Sequence, residues 1–211
     1  MAFSDIDVCS NALAILGEGP ISSFDDQTSP HSNTCFIRYP MLRDSILSGY
    51  PWKFTITQAL LSKKVTTPEV RYKYIHSLPP DRVNNSVIAL YRTDNTYETP
   101  FNEFIIQGDE VHSNESVIYI DYQKANVPES EWPTYFVDFM AHALATDLAM
   151  SVTKKIGIKQ EMERTTYGAR GRGSNGGLEA KTQSLDAKSS PANNRLHDFP
   201  LVTARYSSVG D

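Results

Sequence analysis

The chain has 211 residues, 40% of them hydrophobic and 10% aromatic, which is enough to bury a core as one domain or two small ones. No run of 18 or more apolar residues occurs, so a membrane-spanning helix is not expected, and the acidic N-terminal segment lacks the pattern of a signal peptide. The net charge of −5 is divided unevenly. Residues 1–153 carry 10 basic and 19 acidic side chains (net −9), whereas residues 154–211 carry 10 and 6 (net +4). An acidic body argues against tight wrapping of nucleic acid, because binding there would gain nothing from counterion release.

Two helices are predicted in the first 50 residues. A cap at Ser4 or Asp5 and an apolar stripe that ends before Gly17 predict the first helix. A loop rich in Gly, Pro, Ser and Asp follows, and a second helix is predicted over residues 29–49. Pro40 falls inside that second pattern, so a kink or a break is expected there. The predicted inner face of the second helix consists of Cys35, Phe36, Tyr39, Leu42, Ile46 and Leu47.

The character of the sequence changes at Trp52. Five segments up to residue 124 are rich in β-branched and aromatic residues, which is typical of strands. Turn signals separate the segments, among them Pro79–Pro80, Asn84–Asn85 and Gly108–Asp109. Because strands joined by such short connections cannot run parallel, residues 51–127 are predicted to form an inserted antiparallel β domain.

A long amphipathic helix is predicted over residues 133–155, since its apolar residues recur at steps of three and four. Pro133 suits the first turn, and Gly157, just beyond the last turn, is predicted to cap the helix. We expect this helix to be the packing centre of the molecule. The predicted structural core consists of Trp52, Phe54, Phe136, Phe139, Met140 and Leu144.

The last part of the chain is predicted to be two short helices and an arm. Five glycines between Gly168 and Gly177 separate a polar helix over residues 158–167 from a second helical fragment over residues 178–188. The GxGxxG spacing inside this glycine-rich segment, at Gly171, Gly173 and Gly176, favours a hinge over a dinucleotide site, because no strand precedes it. Residues 191–211 have no period yet keep several large apolar side chains, which is rare in a disordered tail.

These elements predict the α+β class. A helical bundle of three to four helices, formed by residues 1–50 and 128–190, is expected to carry the inserted antiparallel β domain of residues 51–127. Residues 191–211 are expected to form an extended C-terminal arm.

No pattern for catalysis, a metal or a cofactor stands out. Asp138 and His142 lie one helical turn apart, but a single such pair is more typical of a surface histidine than of a metal site. Acidic residues of the first loop leave one alternative open, a soluble glycan hydrolase that uses paired carboxylates. Those residues are Glu18, Asp25 and Asp26.

Two cysteines are too few for a disulfide framework in a chain of this size. Cys9 and Cys35 both fall in predicted helices. We expect them to be buried thiols that face each other in a reducing cytoplasm.

A series of short motifs resembles one family in both content and order. Residues 11–18 (NALAILGE), followed by Pro20 and Ile21, match the N-A-x-x-x-L-G-E-x-P-I/V opening of the head-to-tail adaptors of short-tailed phages, the tail tubular protein A-like family. The resemblance covers about residues 5–155. Its further matches are Tyr39, Pro40 and Arg43; Pro51 to Phe54; Tyr74 to Asp81; and the helix from Trp132 to Thr153. The glycines between Gly168 and Gly177 depart from the continuous last helix usual in the family.

The resemblance implies a structural role and no enzymatic activity. Such adaptors assemble as a ring, typically of twelve copies, beneath the portal protein. The ring extends the DNA channel and offers its lower face to the tail nozzle protein and the tail fibres. The implied place is the tail and neck of the virion, after assembly in the host cytoplasm, with no cofactor, no membrane and no specific DNA binding.

The basic C-terminal region then suggests how each subunit is fastened to the portal. Its arginines are expected to steer and pair with carboxylates, and its apolar side chains to anchor the contact. The predicted portal-binding arm comprises Arg170, Arg172, Arg195, Phe199, Leu201, Arg205 and Tyr206.

Overall fold

The computed structural model describes residues 3–25, 29–65, 72–94, 99–169 and 176–189. Over these ranges the predicted α+β class is confirmed by five α-helices and two antiparallel sheets. The helices are α1 (Asp5–Ile15), α2 (Ser32–Gly49), α3 (Thr134–Thr153), α4 (Ile156–Tyr167) and α5 (Gly177–Lys188). The strands are β1 (Ile56–Leu60), β2 (Ser62–Lys63), β3 (Tyr74–Ser77), β4 (Arg82–Tyr91), β5 (Phe104–Gln107), β6 (Glu110–Ser113) and β7 (Tyr119–Lys124). No helix among these residues is both long and apolar enough to cross a membrane.

The start of α1 follows the sequence closely. Ser4 is the N-cap, and its Oγ accepts the Asp7 backbone N–H at 3.2 Å while the Asp7 carboxylate accepts the Ser4 backbone N–H at 2.9 Å. This reciprocal capping box satisfies two backbone donors that the first turn would otherwise leave unpaired.

Helix α2 differs from its prediction in two ways. It begins at Ser32, and it continues through Pro40 without a break. Pro40 itself is exposed, on the side of the helix away from the core. Phe36, predicted on the inner face, is 57% exposed and leans against Phe24 with their ring centroids 5.7 Å apart. The other residues of the predicted inner face are confirmed, since Cys35, Tyr39, Ile46 and Leu47 are buried and Leu42 is partly buried.

The predicted cap at Gly157 is also wrong. Helix α3 ends at Thr153, and Lys154 adopts the left-handed conformation (φ 55°) that a glycine usually takes at this position. Its backbone N–H donates to the Met150 carbonyl at 3.2 Å, which closes the last turn. Helix α4 therefore begins two residues later and contains Gly157.

Helix α3 lies at the centre of the helical part, in contact with α1, α2, α4 and α5. This helical core draws on residues from both sides of the β region in sequence. Eleven of the twenty residues of α3 are buried, and eight of them belong to this core. Of the residues predicted to form the core, Phe54 is partly buried, while Trp52, Phe136, Phe139, Met140 and Leu144 are buried.

The strands form two sheets with the orders β1-β7-β4 and β2-β3-β6-β5, and every pair is antiparallel. A hairpin turn at Gly108–Asp109 joins β5 to β6 as predicted. The turn predicted at Asn84–Asn85 is wrong, because the backbone there continues in β4. The pairing of β4 with β7 is irregular at this point, with a shift of register between Arg82 and Val87.

A second core lies within the β region and takes side chains from both sheets, among them Leu90, Ile120 and Val111. The two parts of the molecule are joined by Gln123 at the end of β7. Its amide nitrogen donates to the carbonyl oxygens of Leu47 at 2.6 Å and Tyr50 at 3.1 Å, both at the end of α2. Because this amide is buried, its hydrogen bonds favour one orientation of the β region on the helices.

The end of α4 and the start of α5 lie close together, backbone against backbone, at Gly168 and Gly177. Gly168 ends α4 with φ 84°, and Gly177 begins α5 with φ 67°. A Cβ added at Gly177 would lie 2.5 Å from the Gly168 nitrogen and 2.8 Å from the Thr166 carbonyl oxygen. Only glycine fits at this position, for reasons of both space and backbone conformation.

We therefore expect Gly177→Ala to lower the free energy of unfolding by about 1–3 kcal/mol. Gly157→Ala is the matched control, because a Cβ there meets nothing within 4 Å inside a helix, and alanine should stabilise α4 by about 0.5–1 kcal/mol. Urea unfolding followed by circular dichroism measures both. Equal urea midpoints of unfolding for the two variants would show that the backbones at Gly168 and Gly177 are not tightly packed.

Candidate functional site

A polar site centred on Asp186 holds α5 against the remainder of the helical part. We call this site the base of the arm, because α5 lies between the two parts of the predicted arm. Asp186 is fully buried, and its carboxylate accepts the Lys53 backbone N–H at 2.9 Å and the Tyr135 hydroxyl at 3.0 Å. Lys53 begins the 3-10 helix Lys53–Thr55 that leads into β1, and Tyr135 lies in the first turn of α3. One carboxylate thus binds α5 to two segments that are far away in sequence.

The electrostatics of this site follow from burial. Burial and the hydrogen bond to the negatively charged Asp186 raise the pKa of Tyr135 to about 12. Burial, reinforced by the charge of Asp186, also raises the pKa of Tyr50. Both phenols therefore remain neutral throughout the physiological range, and that of Tyr135 keeps the proton it donates to Asp186.

The site fixes the point from which the rest of the chain departs. The Ser189 backbone N–H donates to the carbonyl oxygens of Leu185 and Asp186 at 3.1 Å, and its hydroxyl donates to the Asp186 carbonyl at 2.6 Å. The residues predicted to form the portal-binding arm lie beyond this point or in the α4–α5 connection, and all of them are outside the described residues. They are Arg170, Arg172, Arg195, Phe199, Leu201, Arg205 and Tyr206.

The predicted core residues form one aromatic cluster beside this base. The ring centroid of Trp52 lies 4.7 Å from that of Tyr50, 4.8 Å from that of Phe136 and 6.1 Å from that of Phe139. Its indole N–H donates to the Ile46 carbonyl at 3.1 Å. Trp52 therefore joins the end of α2, the start of the β region and α3 in a single packing unit.

The Asp138–His142 pair lies on α3 beside a groove. The Nδ1 atom of His142 lies 2.9 Å from the Asp138 backbone carbonyl oxygen and 3.5 Å from the Asp138 carboxylate. No group of three or more potential metal ligands occurs in the part of the chain that the structure describes. The groove has a volume of about 500 Å³ and lies between α1 and α3. Its lining includes Phe3, Ile15, Val137, Asp138, Ala141 and His142.

The structure does not gather the acidic residues of the first loop into a buried site. Glu18 is half-exposed and lies 3.6 Å from His31 Nε2, and Asp25 is exposed in a turn. Asp26 is outside the described residues. A general acid of a glycosidase depends on burial to keep its proton near neutral pH, and neither described carboxylate has that environment.

The two cysteines meet between α1 and α2. Cys9 and Cys35 are both fully buried and free. A hydrogen bond between the two side chains, together with burial, raises the pKa of the Cys9 thiol. The expected arrangement of facing, reduced thiols is confirmed, and their burial makes them packing residues and not nucleophiles.

Of the GxGxxG residues, Gly176 is the N-cap of α5, while Gly171 and Gly173 are outside the described residues. The element before them is α4, a helix, and every paired strand in the described chain is antiparallel. The βαβ context of a dinucleotide site is therefore missing from these ranges.

Comparison with known proteins found no family model that matches this chain and no match among curated proteins.

Proposed function

We propose that this protein is a structural head-to-tail adaptor of a phage virion, which forms a ring below the portal protein and extends the DNA channel. The observation that carries the proposal is the order of its elements. Two helices precede a β region, and the long helix α3 and two further helices follow it, while the helical core is shared across this insertion. The motif series that resembles the tail tubular protein A-like family implies a helical bundle that bears a β domain, and this order agrees with it except that α4 and α5 replace the family's continuous last helix.

The geometry at the end of α5 supports our proposal that the C-terminal arm attaches each subunit to the portal protein. Asp186 and the hydrogen bonds of Ser189 hold the C-terminal end of α5 in place. The arm predicted from the sequence is the segment of residues 170–206, on both sides of α5. We propose that this segment docks on the portal, with apolar anchors such as Phe199 supplying the affinity and arginines such as Arg195 supplying steering and salt dependence.

The uneven charge supports a ring through which DNA passes without being bound. Residues 1–153 carry a net charge of −9, and an acidic lining repels the phosphate backbone so that DNA can slide. The lower face of the ring would then meet the tail nozzle protein and, beside it, the tail fibres. The alternative of a glycan hydrolase gains no support, because Glu18 and Asp25 are not buried.

An image of the assembled complex tests the proposal. The full chain is mixed with rings of the portal protein that is encoded with it, and the mixture is examined by negative-stain electron microscopy. We expect a second ring, coaxial with the portal, that is missing when either protein is omitted. Portal rings that keep their unliganded outline at a tenfold excess of this chain would contradict the proposed function.

A further inference from the structure

The surface of the helical part carries two unlike features that suit each other. One is the groove between α1 and α3 described above. The other is the turn between α3 and α4, which we call the lysine corner and define as Lys154, Lys155, Ile156 and Lys159. We propose that the lysine corner of a second copy of this chain docks in the α1–α3 groove. This inference rests on the proposed ring and names the interface between its subunits.

The groove is apolar at its base and acidic at its edge. Phe3, Ile15, Val137 and Ala141 supply the apolar lining, and the side chain of Asp138 is 59% exposed at the edge. Asp7, also exposed, lies one turn before the lining residue Asn11 on the same stripe of α1. The groove therefore suits an apolar side chain that is flanked by positive charge.

The lysine corner has that character. Ile156 is 65% exposed at the first position of α4, where a large aliphatic side chain gains nothing from water. Lys154 and Lys155 precede it directly, are exposed, and make no ion pair within the described ranges. Lys159 follows one turn later and lies 3.7 Å from Glu163. An apolar side chain flanked by lysines is thus complementary to the groove in hydrophobic character and in charge.

The two features lie toward opposite ends of α3. Asp138 and Lys154 are 16 residues apart, which at the rise of an α-helix is a separation of about 24 Å along its axis. The groove of one molecule therefore has to be filled by the corner of another. A contact between two different patches is heterologous, and repeating it leads to a ring when the rotation between copies closes.

Charge reversal tests the contact. In Asp138→Lys the groove should lose its attraction for the corner, because the introduced lysine cancels the charge of Asp7. In the double variant Lys154→Glu/Lys155→Glu the formal charge of the corner changes from +3 to −1, so the corner should repel the groove. Each variant alone should raise the dissociation constant between copies about tenfold, as measured by sedimentation velocity over a range of concentrations. Ile156→Ala should weaken the assembly by a similar factor at any salt concentration, whereas the two charge variants should lose their effect in high salt.

Mixing the two charge variants provides the decisive result. In the mixture, the lysine introduced at position 138 of one variant meets the glutamates introduced in the corner of the Lys154→Glu/Lys155→Glu variant, and the unaltered corner of the first meets the unaltered groove of the second. Both contacts are attractive, so an equimolar mixture should recover assemblies larger than a dimer. Glu131→Lys and Lys181→Glu are the matched controls, because both residues are exposed and lie outside the two patches. They should assemble like the unaltered chain.

Three results would overturn the inference: unchanged assembly in both charge variants, no recovery on mixing, or loss of assembly on Met41→Glu alone. The last would point to the exposed apolar residues Phe36, Ile37 and Met41 of α2 as the interface instead. A failure of the proposed adaptor function can be distinguished from a failure of this contact. Copies that assemble through this contact and yet ignore the portal would contradict the adaptor role and leave the contact standing.

Discussion

Trp52→Ala is expected to lower the free energy of unfolding by about 3–5 kcal/mol. Trp52 is only 1% exposed and packs against Tyr50, Phe136 and Phe139 in the helical core. Truncation removes that buried surface, leaves a cavity between α2 and α3, and deprives the Ile46 carbonyl of its indole partner. A loss of this size is a large part of the stability of an ordinary domain.

Urea unfolding at neutral pH, followed by circular dichroism, measures the effect. Met41→Ala is the control, since its side chain is 64% exposed on α2, and it should change the free energy by no more than about 0.5 kcal/mol. If Trp52→Ala and Met41→Ala unfold at the same urea concentration, Trp52 does not hold the helices and the β region together.

Asp186→Ala is expected to lower the free energy of unfolding by about 2–4 kcal/mol, because it leaves two partly buried donors, the Lys53 backbone N–H and the Tyr135 hydroxyl, without their acceptor. The loss should be local to α5, which is tied to the remainder of the helical core at this point. We therefore expect amide hydrogen exchange to become faster in α5 and at Lys53 before the centre of α3 is affected.

Tyr135→Phe separates the two donors. It removes one hydrogen bond and its donor together, so it should lower the free energy of unfolding by only about 1 kcal/mol.

The pKa of Tyr135 gives a further check. It is raised in the folded protein to about 12, so its stabilising contribution is complete below the unfolded value near 10 and is lost between pH 10 and 12. Stability that falls equally over this range in Tyr135→Phe would assign the loss to other groups.

The sequence predicts the elements that depend on local patterns. The capping residues of α1, the apolar period of α3, the hairpin at Gly108–Asp109 and the buried position of Trp52 all follow from neighbouring residues or from side-chain size. The exceptions are also local. Lys154 takes a backbone conformation that favours glycine, and the helix tolerates Pro40 because that residue faces solvent. In both cases the exposed residue leaves the fold with a local backbone cost of at most about a few kcal/mol, which the burial of neighbouring residues outweighs.

The polar links between distant segments could not be read from the sequence. Asp186 looks like an ordinary helix-surface carboxylate in its own stretch, and only its approach to Lys53 and Tyr135 makes it a buried acceptor. Gln123 likewise ends a strand whose pattern gives no sign of its hydrogen bonds to the end of α2. Such partners are 51 to 133 residues away, and no periodic pattern encodes them.

The fastening of the subunit to the portal is the central claim, and deletion of residues 191–211 tests it most directly. The truncated chain keeps α5, Asp186 and Ser189, so its helical core should unfold at the same urea concentration as the full chain. Binding to immobilised portal rings is measured for the full chain, the truncated chain and Phe199→Ala at low and high salt. We expect the truncated chain to show no binding and Phe199→Ala to bind at least tenfold more weakly at both salt concentrations. Full affinity of the truncated chain would contradict the account.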